Sequence, residues 1–92
     1  MMDSVRVIKE GDGMKARIYV TLKNGVLDPQ GKAVMGALKS MSFDEVSDVR
    51  IGKYMELELD GVSRETAEIR IKEMCEKLLA NTVIENYRIE IE

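Results

Sequence analysis

The chain has no histidine and no tryptophan, and only one cysteine, one proline and one phenylalanine among its 92 residues. Without histidine it lacks the side chain that most often serves as general base or metal ligand near neutral pH. A lone thiol, Cys75, excludes an internal disulfide and reads as a small apolar group buried on a helix. Ser40 and Ser42 have no imidazole to activate them, which leaves a serine–lysine pair as the one open route to a nucleophilic hydroxyl. No apolar run approaches the roughly 20 residues of a membrane-spanning helix. The opening Met1-Met2-Asp3-Ser4-Val5-Arg6 is too polar for a secretory signal. Net charge is −3, so the concentrated basic surface that binds phosphate backbones is missing. The paired aromatics of sheet-type RNA readers are missing too. These absences point to a cytoplasmic protein that uses neither nucleic acid nor membrane and is not a stand-alone catalyst.

What is present suits a folded domain. Hydrophobic residues make up 45% and charged residues 34%, too apolar a balance for a disordered chain. With aromatics scarce, aliphatic side chains and methionine must fill the core. A chain this short buries only roughly 60–65% of its unfolded surface, so association with other chains is a natural source of further stability.

Residues 1–13 read as an extension, either flexible or pairing at a sheet edge, because Glu10-Gly11-Asp12-Gly13 interrupts Val5, Val7 and Ile8 with turn residues. Residues 14–92 form the domain. From Lys15 to Leu22, Ala16, Ile18, Val20 and Leu22 alternate with Arg17, Tyr19 and Thr21, the period of a half-buried strand. Asp28-Pro29 is a strong helix start, with a carboxylate cap followed by proline at the first helical position. The helix runs to about Ser40 or Met41 with an apolar stripe of Ala33, Val34, Ala37, Leu38 and Met41. Gly31 and Gly36 are poor helix formers, and close approach of another backbone is one reason to keep them.

Val46 to Asp60 is strand-like again, with Val49, Ile51, Met55, Leu57 and Leu59 in one phase. A three-residue hairpin loop at Gly52-Lys53-Tyr54, pairing Ile51 with Met55 and Val49 with Leu57, keeps these apolar residues on one face. The competing picture is one long strand bent near Gly52. Ser63 caps a second helix whose stripe is Ala67, Ile71, Met74, Cys75 and Leu78, ending near Ala80-Asn81 with Asn81 suited to a left-handed cap. Ile69 points away from that stripe, as an isolated exposed residue or a partner contact. A last strand covers about Tyr87 to Glu92. The order strand–helix–strand–strand–helix–strand is the ferredoxin-like βαββαβ pattern, an α+β fold with two helices on one face of an antiparallel sheet. Its strand order 4-1-3-2 would flank the basic wet face of the first strand, Arg17 and Lys23, with Glu56 and Glu58 on one side and Arg88, Glu90 and Glu92 on the other.

No metal cluster, phosphate loop or nucleophile–base pair emerges. Asp28 reads as a cap first and as a polar ligand second. Arg50, Lys53 and Tyr54 read as turn residues or as contacts to a partner protein. A binding or scaffold module fits this chemistry better than an enzyme does.

Three blocks carry a resemblance: Ile18 to Val34, with Lys23-Asn24-Gly25-Val26-Leu27-Asp28-Pro29-Gln30-Gly31 inside it; Val49 to Leu57; and Met74 to Glu85. They resemble the PurS family, the small subunit of phosphoribosylformylglycinamidine (FGAM) synthase in purine biosynthesis, over essentially Met14 to Glu92. Asn24 and Thr82 stand where that family often has proline. The resemblance implies a dimer, with pairing into tetramers open, that bridges a glutaminase subunit, PurQ, and a synthetase subunit, PurL. ATP and magnesium would be handled by the synthetase subunit, with no cofactor and no bond-making residue in this chain. Lys23, Gly25, Asp28, Gly31, Arg50, Gly52, Lys53 and Tyr54 are the expected subunit contacts, because their order is specific while their chemistry is not catalytic. The runner-up is a dimeric ferredoxin-like module binding a small regulatory ligand.

Overall fold

In the computed structural model residues 13–92 are described. The expectation for residues 1–12 lies outside them, while Gly13 already belongs to the first strand. The elements are β1 (Gly13–Leu22), α1 (Pro29–Ser40), β2 (Gly52–Asp60), α2 (Arg64–Met74) and β3 (Glu85–Ile91). The sheet is antiparallel with order β2-β1-β3. This is an α+β fold, and its order is the ferredoxin-like 4-1-3 without strand 2.

Alternation in β1 sends Ala16, Ile18 and Val20 into the core, where they meet Ala67, Ile71 and Cys75 of α2. Met55, Leu57 and Leu59 of β2 and Tyr87, Ile89 and Ile91 of β3 flank that row, half-buried. On the opposite face Arg17 sits across from Glu56 on one side and Glu90 on the other. Ion pairs join Lys15 to Glu56 at 3.5 Å and Arg17 to Glu92. The opposite-charge pairing expected from the βαββαβ strand order is realised in these pairs.

Both helix starts follow their caps. Asp28 Oδ1 accepts the Gly31 N–H at 2.9 Å, and Ser63 Oγ accepts the Thr66 N–H at 3.1 Å. The end of α2 departs from the sequence reading. Cys75–Leu79 form a π-helical turn, closed by the Ala80 N–H on the Cys75 carbonyl at 3.0 Å. A π turn takes one extra residue, so the buried phase passes from Cys75 to Leu79 instead of Leu78. Leu78 is 81% exposed, and Leu79 packs against the core. Asn81 takes no left-handed cap. Extended backbone at Ala80 ends the helix, and the only non-glycine residue with positive φ among the described residues is Ser42, just after α1.

Two further expectations are corrected. Gly52-Lys53-Tyr54 is not a hairpin loop, because these residues pair with Thr21, Val20 and Tyr19 as the first rungs of β2. Residues 46–51 form no strand either, so the single long strand is also only half realised. Nor does α1 cover its own sheet. Gly31 is its one buried residue, and neither the core nor the apolar shell around it contains any residue of α1. Instead α1 and the returning residues 41–51 form an arm that leaves the sheet at the end of β1 and re-enters it at β2.

Candidate functional site at the end of the sheet

The base of the arm is where the sequence placed its candidate contacts. β1 ends there, and β2 and β3 begin there, with Thr21 opposite both Gly52 and Asn86. All eight candidate residues therefore lie at one end of the sheet.

Asp28 is the clasp of this joint. One carboxylate oxygen caps α1 through Gly31, and the other accepts the Ile51 N–H at 3.0 Å, across the arm. These backbone donors, Ile51 first, hold its carboxyl below the ordinary carboxylate range. Arg50 Nη1 donates to Asn24 Oδ1 at 2.6 Å and ties the same two segments a second time. Gly31 faces inward. A Cβ there would stand 2.9 Å from Asp28 Oδ2 and closer still to the Val49 carbonyl oxygen. Gly52 is equally confined, by the Val20 carbonyl and by Thr21 Cγ2 at 2.8 Å. The close backbone approach expected at Gly31 is thus met inside the chain. Gly25 has a different reason to be glycine. Its φ is +87°, in the left-handed region, and its Cβ direction is open. The turn it serves closes with the Val26 N–H on the Lys23 carbonyl at 3.1 Å.

Lys53 and Tyr54 point to opposite faces. Lys53 Nζ reaches Glu85 Oε2 at 3.7 Å on the helix side. Tyr54 is on the other face and half exposed at 50%. Its ring centroid lies 5.1 Å from that of Tyr19, over which the Arg88 guanidinium sits at 4.1 Å. Tyr54 donates to Glu56 at 2.7 Å and Tyr19 to Glu90 at 3.0 Å. These bonds raise the Tyr54 phenol and lower both carboxyls, while desolvation is the main cause of the raised Tyr19 phenol. Two tyrosines and an arginine on an open sheet face have the composition of protein-contact hot spots.

The sequence reading missed the other half of this end. Lys23, Glu76, Thr82, Glu85, Asn86 and Tyr87 line a polar recess of about 330 Å³. Tyr87 donates to Glu76 Oε2 at 2.6 Å, which pushes its phenol up to about 12. Beyond the recess Leu78 and Val83 are both 81% exposed. Only the position of Leu78 within a helix-like stripe could have drawn attention to it, and the π turn hid its direction.

Nothing here resembles a reaction centre. The carboxylate of Asp28 is spent on backbone donors, and burial raises the thiol of Cys75 away from the reactive thiolate. The geometry can hold a joint and present a surface.

The family profile described as PurS, phosphoribosylformylglycinamidine (FGAM) synthase, matches residues 15–92. A curated relative from Bacillus subtilis (strain 168), the PurS subunit of phosphoribosylformylglycinamidine synthase, is 62% identical over 78 residues, which cover 85% of this chain and 92% of that one. A solved structure of B. subtilis PurS superposes with a TM-score of 0.76 at 61% identity, covering 86% of this chain and 98% of that one. A chain in the structure of PurLQS from Thermotoga maritima superposes with a TM-score of 0.80 at 31% identity, covering 87% of this chain and 98% of that one. With a profile match that begins inside β1 and runs to the last residue, and with relatives this similar, the chain belongs to the PurS family of FGAM synthase subunits.

Proposed function

We propose that this chain is the non-catalytic small subunit of a cytoplasmic FGAM synthase, joining a glutaminase subunit to a synthetase subunit and supporting passage of ammonia between them. The observation that carries this reading is the superposition on a chain of the three-component PurLQS structure. The residue chemistry agrees with it: the distinctive residues at the end of the sheet are engaged in fixing backbone, and none is poised for catalysis.

In this reading the glutaminase subunit releases ammonia from glutamine. The synthetase subunit uses ATP and magnesium to activate the amide of formylglycinamide ribonucleotide, and ammonia converts it to the amidine. Free ammonia is protonated or lost in bulk water, so an assembly that excludes water raises the rate without touching the reacting atoms. This chain acts as a homodimer. Its exposed contacts to the other subunits are Tyr54, Arg50 and Lys53, with Lys23 and Gly25 beside them, while Asp28, Gly31 and Gly52 hold that surface in shape.

The test is reconstitution with the glutaminase and synthetase subunits, assayed with glutamine and with ammonium salts, with and without this chain. Omission should abolish glutamine-dependent synthesis and leave ammonia-dependent synthesis in place. Tyr54→Asp should abolish co-purification while the free chain stays folded, its melt lowered only by loss of the Tyr19 ring contact and the Glu56 hydrogen bond. Full glutamine-dependent activity without the chain would overturn the reading.

A further inference from the structure

We infer that the recess at the end of the sheet is a binding site for a free zwitterionic amino acid with an uncharged polar side chain. The inference goes beyond the subunit reading and does not depend on it, because the site lies within one chain.

The first observation is a pair of opposite charges that do not meet. Lys23, just after β1, and Glu76, in the π turn, line the same recess. They form no ion pair with each other, and the half-buried Lys23 ammonium has no partner among the described residues. Glu76 accepts the Tyr87 hydroxyl on Oε2 at 2.6 Å, and its Oε1 is left open. A half-buried cation without a counter-charge is unfavourable, so an anionic group held in the recess would relieve it.

The second observation is charge balance. Glu85, the other carboxylate of the lining, is already matched. Its side chain is only 16% exposed, its Oε1 accepts the Asn81 N–H at 2.7 Å, and its Oε2 faces Lys53 Nζ at 3.7 Å. With Lys53 counted, two cations and two carboxylates around the recess cancel. A neutral site with unmatched poles selects against ligands of net charge. A phosphate would face two carboxylates, and a diamine or a metal ion would face Lys23. A zwitterion places its carboxylate on Lys23 and its ammonium on Glu76 Oε1, both charge-assisted contacts.

The third observation is the rest of the lining and its size. The Thr82 hydroxyl and the Asn86 carboxamide also line the recess, and neither side chain has a polar partner among the described residues. Both groups donate and accept, which suits a ligand hydroxyl or carboxamide. The volume of about 330 Å³ is at the lower end of the roughly 300–1,000 Å³ of small-molecule pockets. It equals roughly ten waters of liquid, enough for an amino acid and too little for a nucleotide. The walls are preformed. The Lys23 N–H bonds the Ile84 carbonyl at 2.8 Å, and the Ile84 and Glu85 N–H groups share the Asn81 carbonyl at 3.0 and 2.7 Å. Binding therefore orders little new backbone. The wall that carries Glu76 is a π turn, an irregularity frequent at functional sites.

The test is a ¹⁵N NMR titration of the full chain with L-glutamine and with L-serine. At least one of them should give saturable shifts at the amides of Lys23, Thr82, Asn86 and Tyr87. N-acetyl-L-glutamine lacks the ammonium and L-glutamine amide lacks the carboxylate, so each should bind about tenfold or more weakly than L-glutamine, the loss of one charged hydrogen bond. Lys23→Met and Glu76→Gln should weaken binding to the same degree, and Glu76→Gln keeps an acceptor for the Tyr87 hydroxyl. The blocked ligands probe the same contacts without altering the chain. No saturable shift with either amino acid at millimolar concentration would overturn the inference. Equal binding of the blocked ligands or of inorganic phosphate would overturn it too, as would shifts confined to the Tyr19 and Tyr54 face.

Discussion

Replacing Gly31 by alanine sets two physical effects against each other on one helix. Intrinsic propensity favours alanine by up to about 1 kcal/mol. The structure opposes it, because the new methyl would stand 2.9 Å from Asp28 Oδ2 and nearer still to the Val49 carbonyl. Overpacking of this kind costs about 1–3 kcal/mol. Moving Val49 away also stretches the Ile51–Asp28 bond next to it, a loss of about 1 kcal/mol for a hydrogen bond. Net destabilisation of about 1–3 kcal/mol results, a fall in Tm of roughly 4–24 °C for a domain this size. Gly36 is the matched control. It sits in the same helix among Lys32, Lys39 and Ser40, with nothing within 4 Å of a Cβ. Gly36→Ala should raise Tm by roughly 4–8 °C. Both melts are read by circular dichroism at one fixed chain concentration, since association itself shifts Tm. If Gly31→Ala stabilises the chain as Gly36→Ala does, the joint is not closely packed and the account of the clasp is wrong.

Other substitutions check other parts of the structure. Leu79→Ala should destabilise by about 1–2 kcal/mol, part of the loss for a fully buried leucine, while Leu78→Ala should stay within about 0.5 kcal/mol; urea titrations in which the two ranks are reversed would refute the π turn. In an ultraviolet titration Tyr87 should ionise at about 12, and Glu76→Gln should bring it down toward the ordinary phenol value; an unmoved curve would mean that the hydrogen bond is not the cause. Asp28 has a depressed carboxyl, so its contribution to stability is present above about pH 4, its ordinary range, and is lost as pH falls through the folded-state value. Asp28→Asn keeps an acceptor oxygen but no charge, so it should lower stability at pH 7 and flatten the loss below pH 4, leaving the share due to Glu56 and Glu90; melts from pH 7 to pH 2 with the parent slope unchanged would contradict that assignment.

Local signals were legible wherever the reason was local. Asp28-Pro29 and Ser63 set the helix starts because a cap acts within one turn. Period-two patterns gave β1 and β3 to within two residues at each end, and the charges on their wet faces fitted the strand order that the βαββαβ pattern implies. The π turn was not legible, since an extra residue in a helix leaves no mark in composition and shifts every later side chain by one place. At the candidate site the residues singled out in the sequence turn out to have different structural tasks. Gly31 and Gly52 prove to be spacers for backbone and Asp28 a clasp, while Gly25, Arg50, Lys53 and Tyr54 are exposed and Lys23 is half-buried.

The remaining differences all fall between residues 29 and 60. The stripe of α1 was read as facing its own core, and the alternation from Val46 to Asp60 as a hairpin within one chain. Hydrophobic periodicity reports that a face is apolar and says nothing about which surface covers it. A hairpin and a straight entry into β2 use the same residues in the same phase, and differ only in whether Gly52-Lys53-Tyr54 turns or runs straight. That choice is decided at the clasp. Asp28 holds Ile51 against the start of α1, and Gly52 lies flat against Val20 and Thr21 as the first rung of β2. A reversal at Lys53 would break these contacts together. The residues that look like a binding motif in the sequence thus have a prior task, which is to hold the arm away from its own sheet.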